Sequence, residues 1–205
     1  EGHIHDKDVV VVKCGIGKVN AAICTQILAD RYKVDSVINT GVAGSLNSDI
    51  DICDIVISKD AIEHDMDVTA LGYERGVIPD MDNSVFHSDS RLIDVAVKSI
   101  EEANLSVKVF TGRVVSGDQF IAGKEKKDDL VNTFAGDCAE MEGASIAHAA
   151  YVNNIPCLII RAISDKADGS AEMDYPTFEK KAAANSIKIL KQLIKECIYE
   201  IRKHY

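Results

Sequence analysis

The sequence predicts an α/β fold: a single domain whose mixed, mostly parallel central sheet is flanked by helices. Three observations predict it. Short, continuous apolar runs rich in β-branched residues alternate with segments of helical period, as in "DVVVVKC" followed by "VNAAICTQILADRY". The runs are apolar throughout rather than alternating, which suits strands covered on both faces. The chain has 205 residues, 46% of them hydrophobic, with no internal repeat, low-complexity tract or linker, enough for one sizeable core.

Each element follows from a local pattern. Asp8 to Cys14 reads as a strand, "GIGK" as a glycine turn, and the next stretch as a helix with apolar Ala22, Ile23, Ile27 and Leu28. "DSVINTG" reads as a second strand, completing a βαβ unit with parallel strands. "DICDIVIS", "VKVFTGRVVSG" and "PCLIIRAIS" are further strands. "DSRLIDVAVKSIEEAN" and "EMEGASIAHAAYVNN" are helices, the latter stopped by Asn153, Asn154 and Pro156. From Pro176 to about Lys203, apolar residues recur near helical spacing, predicting a long amphipathic closing helix. Between His64 and His87 no period holds, and a loop of that length in a compact domain is usually functional or an interface. The chain opens "EGHIHDKD" without an initiator methionine and enters an apolar run almost at once, so a natural N-terminal portion is expected to be missing.

A net charge of −10 repels nucleic-acid backbones and anionic membrane surfaces, leaving small molecules and other proteins as partners. The six cysteines contain no C-x-x-C pair and lie mostly in apolar runs, as buried free thiols do in a reducing compartment. With no signal-peptide core and no apolar run near the ~20 residues that span a bilayer, a cytoplasmic location is expected.

The chemistry-bearing segments each admit two readings. "CGIGKVNAA" ends a strand and opens a helix, so its N–H groups could meet an anion or a ribose, but it satisfies neither the P-loop nor the dinucleotide pattern. "NTGVAGSL" puts Gly41, Ala43 and Gly44 where ligands of open α/β sheets bind, or else is a turn needing positive φ at glycine. Phe120 in "SGDQF" could stack on a flat ring or be plain core. "EHDMD" has metal-ligand residue types but reads more simply as a solvated turn, and His148 as a satisfied helix residue. Glu140 and Glu142 would lie about 200° apart on a helix, so only one could face the sheet. Arg161 lies inside an apolar strand and Asp165 just past it, so acids and cation converge at one end of the sheet.

Six segments carry a resemblance to the 5′-methylthioadenosine/S-adenosylhomocysteine nucleosidases of the nucleoside phosphorylase superfamily. They are Cys14 to Ala22, "INTGVAGSL", "HDMDVTALGYERGVIP", "VSGDQFI", "AEMEGASIAH" and "RAISDKAD", in order over nearly the whole chain. The resemblance implies a nucleoside phosphorylase-like fold and hydrolysis of the N-glycosidic bond of either nucleoside, releasing adenine and the thioribose, with no cofactor and no metal. It implies that Asp165 is the general acid at adenine N7, oriented by Ser164 and raised in pKa by partial burial. Glu142 would accept the ribose hydroxyls and Met141 would underlie the ribose. Glu140 would support them, with Arg161 and the Val42, Ala43, Gly44 segment also at the substrate; Val42 stands where the family more often has serine. Phe120 and the backbone of Ile121 would hold adenine. Tyr175 and Phe178 would line the 5′-alkylthio pocket from the home side, and Leu71, Tyr73 and Pro79 would reach the neighbouring subunit of a homodimer.

The same resemblance implies a first strand carrying a water-activating glutamate, and nothing before His5 matches it; its loss should expose apolar edge surface. The alternatives left open are a purine nucleoside phosphorylase, a futalosine-type nucleosidase and an inert adenosine-binding fragment. Phosphorolysis needs arginines to clamp phosphate, and "VINT" before Gly41 offers none.

Overall fold

The computed structural model of the chain describes the backbone of residues 1–103, 106–169 and 171–202; in the last helix it describes the side chains of 177, 178, 180, 181 and 183–196. The first expected strand is replaced by a hairpin. Strands β1 (Gly2–Ile4) and β2 (Lys7–Val9) pair antiparallel, Gly2 opposite Val9. His5 and Asp6 between them both have positive φ, 49° and 64°, as a two-residue turn of this hand requires. The backbone groups of Lys7–Val9 are thereby committed to β1. Val11 and Val12, 79% and 53% exposed, lie outside any strand, so the predicted Asp8–Cys14 strand and its βαβ unit do not form.

The main sheet comprises β3 (Val37–Ser45), β4 (Ile55–Glu63), β5 (Val85–His87), β6 (Val109–Ser116), β7 (Cys138–Glu140) and β8 (Cys157–Asp165). Their order is β5-β4-β6-β7-β3-β8, and β8 returns to pair with β4 through Ile55–Ile57, closing a ring. The long ladders β3–β8 and β4–β6 are parallel, as is β6–β7; β3–β7, β4–β5 and β4–β8 are antiparallel. This is the mixed sheet the apolar runs predict. Along Val37–Ala43 the edge of β3 away from β8 has no paired strand among the described residues.

Helices cover both faces. Ile159 and Ile163 of β8 pack with Val56, Val114 and Ala144, Ala147 and Ala150 of α4 (Gly143–Val152). Leu158 and Ile160, pointing the opposite way, pack with Ala96 and Ile100 of α2 (Ser90–Glu102) and Ile189 and Leu193 of α5 (Ala171–Arg202). Helix α1 (Lys18–Ile27) buries Ala21 and Thr25 against α4, leaving Ile23 and Ile27 on its outer face rather than in the core. α3 (Lys124–Phe134) has no counterpart among the predicted elements, because only Leu130 and Phe134 of its length are buried.

Candidate active site

The α4 N-terminus is built differently from the predicted pair of helical glutamates. Glu140 ends β7, and Glu142 is the residue before the first turn of α4. The reason is capping: the Glu140 carboxylate accepts the N–H of Glu142 at 3.1 Å and of Gly143 at 2.9 and 2.8 Å, while Ser116 Oγ accepts Ala144 N–H at 2.7 Å. These are donors that a helix start leaves without partners. Ser116 Oγ also donates to Glu140.

Below this cap lies Arg161, fully buried. Its Nε donates to Glu140 Oε2 at 3.1 Å, Nη1 to Ile160 O at 3.1 Å, and Nη2 to Asn39 and Glu140. Burial alone would raise the Glu140 pKa, but the guanidinium, Ser116 and Gly143 N–H outweigh it and hold the carboxylate below its ordinary range. Arg161 does not itself reach the cavity; it fixes the residue that fixes the cap.

Gly41 and Gly44 lie inside β3 with no positive φ, so their smallness serves close approach rather than a turn. A Cβ on Gly41 would sit 3.2 Å from Arg161 Nη1, and one on Gly44 2.6 Å from Asp165 Oδ1. The register slips here: Ala43 faces Ile163 but Gly44 faces Asp165, leaving Ser164 as a bulge. Such a bulge turns a side chain away from its regular direction. Asp165, 2% exposed, accepts Ser164 Oγ at 2.9 Å on Oδ2 and Ala167 N–H at 2.8 Å on Oδ1.

A cavity of about 260 Å³ opens between these parts, lined by Val42, Ala43, Gly44, Phe120, Ile121, Glu140, Met141, Glu142, Ser164 and Asp165, all predicted, and by Ile16, Gln119 and Ala139, which were not. Ile16, Gln119 and Ala139 lie inside the quoted segments, but nothing in their residue types marks them. Phe120 stands at the mouth, 53% exposed. Glu142 Oε1 accepts the N–H of Gly17 at 2.8 Å; burial raises its pKa, with that N–H opposing and the Glu140 charge adding. Phe178 is half-buried on α5, and the Tyr175 side chain lies outside the described residues. Leu71 and Tyr73 stand on the surface, 74% and 41% exposed, with Pro79 half-buried nearby in sequence. Among the described residues, Phe178, Leu71, Tyr73 and Pro79 do not line the cavity.

Glu63 and Asp65 of "EHDMD" are bound to Lys18, and Glu63 Oε1 lies 3.1 Å from His148 Nδ1. His148 also stacks on Phe86, with ring centroids 4.6 Å apart. Among the described residues, no group of three His, Cys, Asp or Glu could hold a metal ion.

The mixed ring of strands flanked by helices is a fold shared with known proteins. The pattern of the Phosphorylase superfamily matches residues 1–195, and the chain belongs to that family. A 5′-methylthioadenosine/S-adenosylhomocysteine nucleosidase of Staphylococcus aureus (strain JH9) is 41% identical over 196 residues, covering 95% of this chain and 85% of the relative. The crystal structure of the nucleosidase of that name from Neisseria meningitidis, in complex with methylthio-immucillin-A, superposes with a TM-score of 0.90 at 38% identity, covering 95% of this chain and 84% of its own. Futalosine hydrolase of Helicobacter pylori strain 26695 superposes with a TM-score of 0.84 at 35% identity, covering 89% of this chain and 77% of its own. No described helix is long and apolar enough to cross a membrane.

Proposed function

We propose that residues 1–205 act as a single nucleosidase domain that hydrolyses the N-glycosidic bond of 5′-methylthioadenosine and S-adenosylhomocysteine, releasing adenine and the 5-thioribose product. The observation that carries this reading is the juxtaposition of Asp165 and Glu142 in one cavity, on a chain 41% identical to a nucleosidase of that name. When the bond from C1′ to the base breaks, adenine leaves with the bonding pair and the sugar becomes oxocarbenium-like. The base takes a proton from Asp165, the sugar needs negative charge nearby, and a water completes the hydrolysis by bonding through its oxygen to C1′ and giving up a proton.

Asp165 is the acid for adenine N7, held in place by Ser164. Glu142 accepts the ribose hydroxyls and Met141 lies under the ribose. Phe120 stacks on adenine beside the Ile121 backbone. Val42, Ala43 and Gly44 form the wall through which Asp165 approaches, and Glu140 with Arg161 supports Glu142 from below. Tyr175 and Phe178 face the 5′ substituent from the home side.

The protein works as a homodimer in which Leu71, Tyr73 and Pro79 complete the partner's 5′ pocket. Exposed Leu71 and Tyr73, and exposed Val19, Ile23 and Ile27 at four-residue spacing along α1 with Ile16 just before it, support this, since isolated soluble proteins rarely leave so much apolar surface bare. Free, buried Cys53, Cys138 and Cys157 fit a reducing compartment such as the cytoplasm.

Futalosine hydrolysis is the second reading, favoured by the likeness to the Helicobacter pylori enzyme. Phosphorolysis is disfavoured, because the described residues lining the cavity include no arginine or lysine to clamp phosphate.

The test is adenine release from methylthioadenosine and from futalosine, with and without phosphate, by wild type and Asp165→Asn. Phosphate-independent release by wild type, with the variant inactive but still binding adenine, is the expected result. Turnover by Asp165→Asn refutes the acid's role, phosphate dependence refutes hydrolysis, and adenine binding without release favours an inert adenosine-binding protein.

A further inference from the structure

Glu142 is held by a loop that packing does not hold. Gly17, whose N–H reaches Glu142 Oε1, precedes α1 in a left-handed conformation with φ +92°, and its neighbour Ile16 is 73% exposed. Val19, just inside the helix, is 69% exposed. What fixes this turn is polar: Asn20 Nδ2 donates to Ile16 O at 2.6 Å from within α1, and apart from the Gly17 bond to Glu142 the side-chain bonds that reach other elements converge on Lys18.

Lys18 Nζ donates to Glu63 Oε2 at 3.0 Å, at the end of β4, and to Asp65 Oδ1 at 2.7 Å. Its backbone N–H donates to Asp118 Oδ1 at 2.8 Å, and Asp118 N–H in turn donates to Asp65 Oδ2 at 3.0 Å. Glu63 is also engaged by Ser145 Oγ at 3.4 Å and by His148, both on α4. One lysine thus ties together the start of α1, the end of β4 and the loop after β6. The first and last of these line the cavity.

The burial is sufficient for the tether to matter. The side chains of Lys18, Glu63 and Asp65 are 20%, 8% and 15% exposed. Partly buried pairs of this kind are screened far less than surface pairs, whose contribution is close to nothing. Burial alone would raise the Glu63 pKa, yet His148 and Lys18 hold it below its ordinary range.

We propose that Lys18 is a positioning residue: it never touches the substrate but anchors the Gly15–Lys18 turn so that Gly17 N–H presents the Glu142 carboxylate to the ribose hydroxyls. This rests on the nucleosidase reading above. It predicts a fault confined to the sugar. Lys18→Met retains most of the length of the unbranched side chain and removes its charge. It should raise KM for methylthioadenosine about tenfold while kcat changes less than about threefold, because the hydroxyls stay bonded to Glu142 in both ground and transition states. Adenine, which has no ribose, should bind the variant within about twofold of its wild-type Kd.

The decisive comparison is a double-mutant cycle. In a Glu142→Gln background, Lys18→Met should change KM less than about twofold, since the group through which it acts is already lost. Lys18→Arg, which can still reach both carboxylates, should restore most of the wild-type KM. Lys18→Met leaves Glu63 and Asp65 without their shared cation, so Lys18→Met/Glu63→Gln/Asp65→Asn serves as a second variant in which neither carboxylate is stranded, and should show the same KM rise.

A KM unchanged in the folded variants, equal losses in the wild-type and Glu142→Gln backgrounds, or a matching loss of adenine affinity overturns the tether. Wild-type protein that binds adenine but releases none overturns the nucleosidase reading itself, and with it any part for Lys18 in turnover.

Discussion

Alanine at position 44 tests whether the bulge in β8 places the acid. The Gly44 backbone is not in the left-handed region, so alanine fits it, and restricting the unfolded chain would by itself stabilise by about 0.4–1 kcal/mol. The side chain does not fit. Its Cβ would stand 2.6 Å from Asp165 Oδ1 and 2.9 Å from Ala167 Cβ, both inside the 3.0 Å that real Cβ atoms essentially never cross. Relief needs a displacement of roughly 0.5–1 Å, and the carboxylate, with one oxygen in contact, is the group that must move. Ala167 cannot retreat alone, because its N–H is bonded to the same oxygen at 2.8 Å. A misplacement of about 1 Å costs on the order of 10²-fold in rate, or about 2.7 kcal/mol of barrier. Gly44→Ala should therefore lose kcat for adenine release by about that factor while its melting temperature stays within about 4 °C of wild type. A folded variant with wild-type kcat would refute the claim that the Gly44 gap positions Asp165.

Arg161→Met should be the most damaging change to stability, costing about 3–5 kcal/mol, because it strands the Glu140 carboxylate without its cation; equilibrium denaturation measures it. The same pair sets a pH dependence. Glu140 titrates below its ordinary 4.5 in the folded protein, so its contribution is complete above that value and is lost as pH falls through the lower folded pKa; wild-type melting temperature should drop on acidification below about pH 4.5. In Arg161→Met burial raises the carboxylate instead, the sign reverses, and the stability gap to wild type should narrow between pH 7.5 and pH 5. Ile23→Lys, on the exposed face of α1, should leave the melting profile of a monomer but reduce the mass in solution at micromolar concentration from two chains to one; an unchanged dimeric mass would place the interface elsewhere.

Much of this architecture was readable along the chain. β3, β4, β6 and β8 announce themselves as apolar runs because both faces of each are covered, and "DSRLIDVAVKSIEEAN" shows the spacing of a helix with one buried side. β7 is only three residues long and its signal merges with α4, which is why Glu140 and Glu142 read as neighbours on one helix. α3 hides for the opposite reason: no residue of "KEKKDD" is buried, and the two buried residues Leu130 and Phe134 set no period. Most residues of the cavity, though not Ile16, Gln119 or Ala139, could be named from their motifs, but how they are held could not. Lys18 and Glu63 are 45 positions apart and Glu63 and His148 are 85, and no local pattern encodes a meeting at such separations. At Gly44 the sequence leaves a turn and a ligand-facing position equally open, because glycine's two uses, positive φ and close approach, leave the same letter.

β8 has a further consequence for how the molecule moves. Ile160, Arg161 and Ala162 are bonded to β3 on one edge and to β4 on the other, three residues upstream of the acid. A segment clasped on both sides cannot fray without parting two ladders, so its amide hydrogens exchange with solvent only when the whole domain opens. The Gly15–Lys18 turn, by contrast, hangs on side-chain bonds that break one at a time. Exchange is therefore expected to be lopsided, slowest at Ile160, Arg161 and Ala162 and faster at the Gly15–Lys18 turn on the other side of the cavity.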